Sequence, residues 1–392
     1  MVYLDYAATT PVRSEVVQVI TDNLMEDYGN PSSAYRIGKS AKHLLIKARQ
    51  QLAELLNVDE KEVYFTSGAT ESNNWAIRSQ AKMSRQLGEG NHIVTTAIEH
   101  PSVTNVTEYL ETQGFDVSYI QPNEEGEITV QQFIDATTDA TIGWIAMQVN
   151  NEVGSILPVF DLGVKAHQLG LWFHVDAVQA IGHLDNNYSE LKATTISGTA
   201  HKFNGPKGIG FLVFRSLQEH NHLAPFILGG GQENKMRSGT ENLPYILGMV
   251  KALELAQQDY AKNLEHYKNL QDHLFSELDS YQINYQINGD SHNRVPYINN
   301  LWFNDNIASQ MLIKLDLDGV YISAGSACSA GSLTESPILK AYYPSTPSRW
   351  GQSLRISFGY QTTIEDIDQF IQSIKKISEG KIDLWHSKKQ QN

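Results

Sequence analysis

Residues 171–214 read LWFHVDAVQAIGHLDNNYSELKATTISGTAHKFNGPKGIGFLVF. Three runs in this stretch, LWFHVDAV, ATTISGTAHK and GIGFLVF, are short, apolar or β-branched, and bounded by Gly, Asn and Pro. That pattern predicts strands. The run before it, DLGVKAHQLG (161–170), predicts a helix. Working outward, VYFTS (63–67), HIVTTAIEH (92–100), DVSYIQP (116–122) and TIGWIAMQVNNEVG (141–154) predict further strands. Helical segments separate them. Residues 38–57 carry Ala41, Leu44, Leu45, Ala48, Leu52, Leu55 and Leu56 at helical spacing, and ESNNWAIRSQA and SVTNVTEYLETQG follow. Strands alternating with helices predict an α/β fold, a mostly parallel central sheet with helices on both faces.

Near residue 250 the pattern changes. Residues 244–275 predict a long helical connector, and YINNLWF and GVYISAG predict strands beyond it. TTIEDIDQFIQSIKKI predicts a closing helix with a Thr362–Glu365 capping box. Its apolar stripe is Ile364, Ile367, Phe370, Ile371 and Ile374. The expected organisation is a large domain over 12–255 and a smaller α+β C-terminal domain over 256–392, joined by residues 1–11.

The chain has 392 residues and a formal net charge of −14. An acidic balance argues against a general nucleic-acid footprint, which needs a basic face. One cysteine excludes an internal disulfide framework and a CxxC pair. No clustered His/Cys spacing points to a structural metal. No apolar run reaches membrane-spanning length. MVYLDYAATTPV lacks the basic start and apolar core of a signal peptide, so a cytoplasmic location is expected.

Polar residues gather at the ends of the predicted strands, where open α/β sheets bind ligands. Asp176 ends LWFHVD, where a desolvated carboxylate needs a cationic partner. An Asp there is as readily a helix cap. Lys202 follows SGTAH and precedes a Gly-Pro-Lys-Gly turn. A lysine in a cleft becomes an amine nucleophile when burial lowers its pKa, although an isolated one is more often a surface residue. The amides of Gly68, Ala69 and Thr70, at the start of a helix, suit a phosphate. GGGQENKMRSGTEN lets backbone approach a ligand or a second subunit closely. Cys328 lies in ISAGSACSAGS, among small residues that suit an accessible thiol rather than core packing. Together these supply a phosphate cup, a carboxylate, an amine and a thiol, and pyridoxal phosphate needs a Lys for the Schiff base, an acid on the pyridine nitrogen and anchors for the phosphate.

In GNPSS, SGATESNN, EHPSV, VNNEVG, HVDAVQA, AHKFNGPKGIG, GGGQE…MRSGTEN and SAGSAC, the chain resembles the group I (NifS/IscS-type) cysteine desulfurases of the class V aminotransferase family. The resemblance runs from LDYAATTPV to about LRISFGYQTTIEDID. It implies a fold-type I PLP-dependent transferase. It implies conversion of L-cysteine to L-alanine, with a persulfide left on Cys328. Lys202 is then the Schiff-base lysine, Asp176 the partner of the pyridine nitrogen, and His100 the ring that stacks on the cofactor. Gln179 meets the phenolic oxygen, and Asn151 lies near ring and substrate. Ala69, Thr70, Thr199 and His201 hold the phosphate, with Thr240 reaching it from the other subunit of a homodimer. Arg355 pairs with the substrate carboxylate. The implied partner is a sulfur acceptor, an iron–sulfur scaffold or a tRNA thiolase, with Cys328 a possible transient iron–sulfur ligand. A selenocysteine lyase is the nearest alternative. The chain departs from its relatives in SGTAHK, where many have Ser-Gly-His-Lys. Its tail is also shorter than in relatives that dock an iron–sulfur scaffold there.

Overall fold

The computed structural model describes residues 1–185, 187–218, 221, 223–304, 306–325 and 335–378. The chain forms two compact units. One comprises Thr9–Asn150 and Ser155–Ala261; the other comprises Met1–Ala8, Asn151–Gly154 and the chain from Lys262.

The larger unit is built on seven strands. Their order is Val63–Thr66, Gly210–Phe214, Thr195–Thr199, Trp172–Asp176, Thr141–Met147, His92–Thr96 and Asp116–Ile120. The last five run parallel. Gly210–Phe214 is antiparallel to both neighbours. It follows Thr195–Thr199 through a short turn with no crossover helix, and only an antiparallel return is open to so short a link. Four central strands are buried along their whole length. Cover on both faces explains their uninterrupted apolar character. The edge strand Asp116–Ile120 is partly exposed.

Helices Ala69–Leu87 and Pro101–Thr112 pack Ile77, Ala81, Val103 and Leu110 against Ile93, Ile145 and Trp172 of the sheet. Gly143 makes room for that indole: a Cβ there would stand 2.1 Å from its ring carbons. Helix Arg36–Leu56 buries Ala41, Leu45, Ala48, Leu52 and Leu56, one face of the expected periodicity. It stops at Asn57 in the left-handed conformation, φ 54°.

The expected helical connector is two helices, Leu243–Gln258 and Tyr260–Ser280. They break at Asp259, whose carboxylate meets Arg13 at 2.5 Å.

The smaller unit holds an antiparallel sheet of Gln286–Ile287, Ile298–Trp302 and Ser353–Ser357. Val2–Tyr3 pairs in parallel with Val320–Tyr321. Helix Ile364–Ser378 buries Ile367, Phe370, Ile371 and Ile374, while Ile364 is exposed. Its cap is Thr363 with Asp366, which exchange backbone and side-chain bonds. Thr362, expected in that role, instead accepts the Gly359 N–H. Among the described residues no helix is long and apolar enough to cross a membrane.

Candidate active site

In the larger unit, polar groups stand at the carboxyl ends of the parallel strands. Asp176 is the last residue of Trp172–Asp176 and is 5% exposed. Its Oδ2 accepts from Asn73 Nδ2 at 2.8 Å and its Oδ1 from Val178 N at 3.1 Å. Both partners are neutral. Gln179 follows in the same turn and is buried.

His100 ends the loop after His92–Thr96 and caps helix Pro101–Thr112. Its Nδ1 accepts from Ser102 N at 3.1 Å, with Ser102 Oγ at 2.8 Å. The proton of the neutral ring therefore sits on Nε2. Burial holds this imidazole below its ordinary pKa; Asp176 pulls it up and Lys202 pushes it down. The three groups thus sense one another. Glu99, one residue earlier, is 3% exposed. It accepts from the Thr96 hydroxyl at 2.6 Å and from Met147 N at 2.9 Å through Oε1. Burial pushes its carboxyl up to about 8.

Lys202 ends the turn Ala200–Lys202 that follows Thr195–Thr199. The N-terminal Thr pair braces this turn from far along the chain. Thr10 donates its N–H and hydroxyl to the His201 carbonyl, each at 2.9 Å, and the Thr9 hydroxyl lies 3.2 Å from His201 Nδ1. His183 Nε2 donates to the Lys202 carbonyl at 2.8 Å. Burial, then the charge of Lys202, pushes His201 down to about 4.

Helix Ala69–Leu87 starts after Gly68, at φ 153°. Its first-turn amides have no acceptor within the helix. Thr70 is exposed, Ala69 half-buried, and a Cβ on Gly68 would lie 3.7 Å from Thr199 Oγ1. Helix start and Thr199 therefore lie side by side. The Thr199 hydroxyl donates to Ile209 O at 3.1 Å, so it meets an anion only by turning. Arg237 of the Gly-rich segment clamps Glu71 in that helix start, Nε to Oε1 at 2.8 Å and Nη2 to Oε2 at 3.1 Å. Thr240, three residues on, is exposed.

In the smaller unit, Arg355 lies on strand Ser353–Ser357 with its side chain 2% exposed. Its Nη1 donates to the Asn151 carbonyl at 2.9 Å and its Nη2 to Asp5 Oδ1 at 2.7 Å. Asn151 Oδ1 and Arg355 Nε are buried with no hydrogen-bond partner among the described residues. Cys328 lies outside the described residues.

Sequence reasoning named Asp176, His100, Lys202 and the helix start, but not Asn73, Ser102, His174, Glu99 or the Glu71–Arg237 pair. Asn73 and Glu71 lie inside the quoted SGATESNN motif; nothing in their spacing announces a partner beyond residue 100. Pyridoxal phosphate fits this donor set. A buried Asp176 without a cation in ion-pair range among the described residues is matched by a protonated pyridine nitrogen. The helix start is matched by a phosphate. No group of three or more His, Cys, Asp or Glu among the described residues is arranged to hold a metal ion.

Several known proteins are similar to this chain in sequence and fold. Cysteine desulfurase IscS of Methanosarcina thermophila is 39% identical over 376 residues, 96% of this chain and 91% of that one. Putative cysteine desulfurase IscS 1 of Bacillus subtilis is 36% identical over 93% of this chain and 95% of its own length. A solved NifS-like protein superposes with a TM-score of 0.88 at 32% identity, covering 97% of this chain and 99% of that one. The solved structure of SspA in complex with cysteine gives 0.79 at 33% identity, over 91% of this chain and 99% of that one. The aminotransferase class-V profile matches residues 2–370, and with that span and this constellation at the strand ends, the chain belongs to the class-V aminotransferase family.

Proposed function

We propose that the protein is a pyridoxal-phosphate-dependent cysteine desulfurase, converting L-cysteine to L-alanine with transfer of the sulfur to Cys328. The observation that carries this reading is that His100, Asp176 and Lys202 all stand at the carboxyl ends of parallel strands of one sheet. The near full-length similarity to cysteine desulfurases supports it.

When bound, pyridoxal phosphate supplies a carbonyl that condenses with amines and a protonated ring that withdraws electrons from a substrate α-carbon. Asp176 would hold the proton on the ring nitrogen. His100 would stack on the ring, and burial disfavours its charged form there. Gln179 is the donor to the phenolic oxygen. The amides of Ala69 and Thr70, with Thr199, His201 and the partner subunit's Thr240, hold the phosphate. Lys202 Nζ takes the proton from the substrate Cα. The free N–H groups of Arg355 bind the substrate carboxylate, and Asn151 orients the substrate.

The thiolate of Cys328 then attacks the substrate sulfur. An S–S bond forms as the Cβ–S bond breaks, and the bonding pair leaves with carbon. A proton at that carbon completes alanine, and the sulfur remains as a persulfide on Cys328. Carbon is reduced and sulfur oxidised, so no outside oxidant is needed. A free thiol has a pKa near ~8.5, so the attack requires help with deprotonation. We place the enzyme as a homodimer in the cytoplasm, handing sulfur to an iron–sulfur scaffold or a tRNA thiolase.

Mass spectrometry of the protein after L-cysteine is added without reductant tests this. One sulfur atom added at Cys328, with alanine released, is expected; Cys328→Ser should bind cofactor yet accumulate no adduct. Turnover without an adduct, or normal activity in Cys328→Ser, overturns the proposal.

A further inference from the structure

Behind the strand-end groups runs a chain of side chains that the proposed chemistry does not use. Thr195, His174 and Asn73 are each 0% exposed. Thr195 Oγ1 lies 2.8 Å from His174 Nδ1, and His174 Nε2 lies 3.0 Å from Asn73 Oδ1. Asn73 Nδ2 then reaches two acceptors, Asp176 Oδ2 and Ser102 Oγ, each at 2.8 Å.

The direction of every proton follows from one fixed point. An ionised carboxylate only accepts, so the Asn73 atom facing Asp176 is the amide nitrogen. The amide oxygen therefore faces His174, which must donate from Nε2. His174 Nδ1 is then bare and accepts the Thr195 hydroxyl. The second Asn73 N–H enters Ser102 Oγ, and the Ser102 hydroxyl is left to donate to His100 Nδ1. One order of protons satisfies every group from Thr195 to His100. Burial pushes His174 down to about 3, so it stays neutral and keeps this order.

We propose that His174 and Asn73 are positioning residues for the cofactor: His174 locks the Asn73 amide in one orientation, and Asn73 aims Asp176 at the pyridine nitrogen while tying in His100 through Ser102. A flipped amide would set its oxygen against the Asp176 carboxylate, and the His174 N–H forbids that flip. The inference rests on the reading that Asp176 meets the ring nitrogen of pyridoxal phosphate.

Two substitutions at one position separate positioning from packing. His174→Gln keeps an acceptor toward Thr195 and a donor toward Asn73. His174→Phe keeps the ring and its volume but has neither. A packing role ranks Phe above Gln; the relay ranks Gln above Phe. The dissociation constant for pyridoxal phosphate and the position of the bound visible band are measured without any amino acid. His174→Gln should lie within about twofold of wild type, and His174→Phe should bind about tenfold more weakly, the effect of about one lost buried hydrogen bond. The visible band should move in His174→Phe and not in His174→Gln. If His174→Phe does not fold, Asn73→Leu decides, with the same weakening expected. Wild-type affinity in His174→Phe or Asn73→Leu, or Gln binding worse than Phe, overturns the relay. Cofactor binding without cysteine turnover would instead sink the proposed reaction and leave the relay standing.

Discussion

Arg355 Nη2 stands 2.7 Å from Asp5 Oδ1, and the other oxygen of Asp5 accepts the Ser323 hydroxyl at 2.8 Å. A residue at the N-terminus thus holds a guanidinium 350 positions away. The arginine side chain is 2% exposed, so its charge depends on that carboxylate rather than on water.

Asp5→Asn should therefore lower thermal stability, by up to about 3–5 kcal/mol for a buried pair broken on one side. It should also raise the KM for L-cysteine more than it lowers kcat, because the fork proposed to meet the substrate carboxylate loses its anchor. Arg355→Lys should do the same, since an ammonium cannot keep the planar fork. Unchanged KM in both variants would remove Arg355 from substrate binding.

Lys202→Ala should abolish the visible band of bound cofactor. Borohydride reduction of wild type followed by peptide mapping should place the cofactor on Lys202. A label on exposed Lys207 would refute the assignment.

Glu99 has a pH signature. Burial raises its carboxyl from 4.5 to about 8 in the fold, against the pull of its two hydrogen bonds. Folded protein keeps a proton that unfolded protein gives up. This contribution is fully present below 4.5 and is lost as pH rises through about 8. Glu99→Gln still accepts from Thr96 and Met147 N and has no proton to lose. Its melting temperature should exceed that of wild type on the alkaline side and converge with it in acid. Parallel curves would show that Glu99 is ionised throughout.

Mixed dimers test Thr240. Thr240→Val and Lys202→Ala should each impair the site when alone. A dimer with one of each has one site with both Lys202 and a partner's Thr240, so mixing should restore activity. No recovery in mixtures that sedimentation shows to be dimeric would place Thr240 elsewhere.

The alternation of strands and helices, and the ends of the central strands, were readable from local pattern. Buried parallel strands are apolar throughout, and their polar ends, at Asp176 and before Lys202, stand out against that background. Strand direction was not readable. GIGFLVF has the composition of its neighbours, and only the short link after Thr199 turns it antiparallel. The connector breaks at Asp259, whose carboxylate meets Arg13 from far away in sequence, a contact no local pattern announces. The capping box slipped by one residue because Gly359 takes the Thr362 hydroxyl.

The sequence by itself determined which residue types end the strands, since periodicity and punctuation act over a few neighbours. The tertiary structure alone decided how those residues are held. Thr10 braces the His201 turn from 191 residues away, Asn73 meets Asp176 from 103, and Arg237 meets Glu71 from 166. Asn151–Gly154 joins the smaller unit because Val295, Asn300 and Arg355 bond its carbonyls. Hydrogen bonds of that reach leave no period in the chain. They depend on which buried donor the fold brings to which acceptor, and burial, not residue type, sets the protonation of Glu99 and His174.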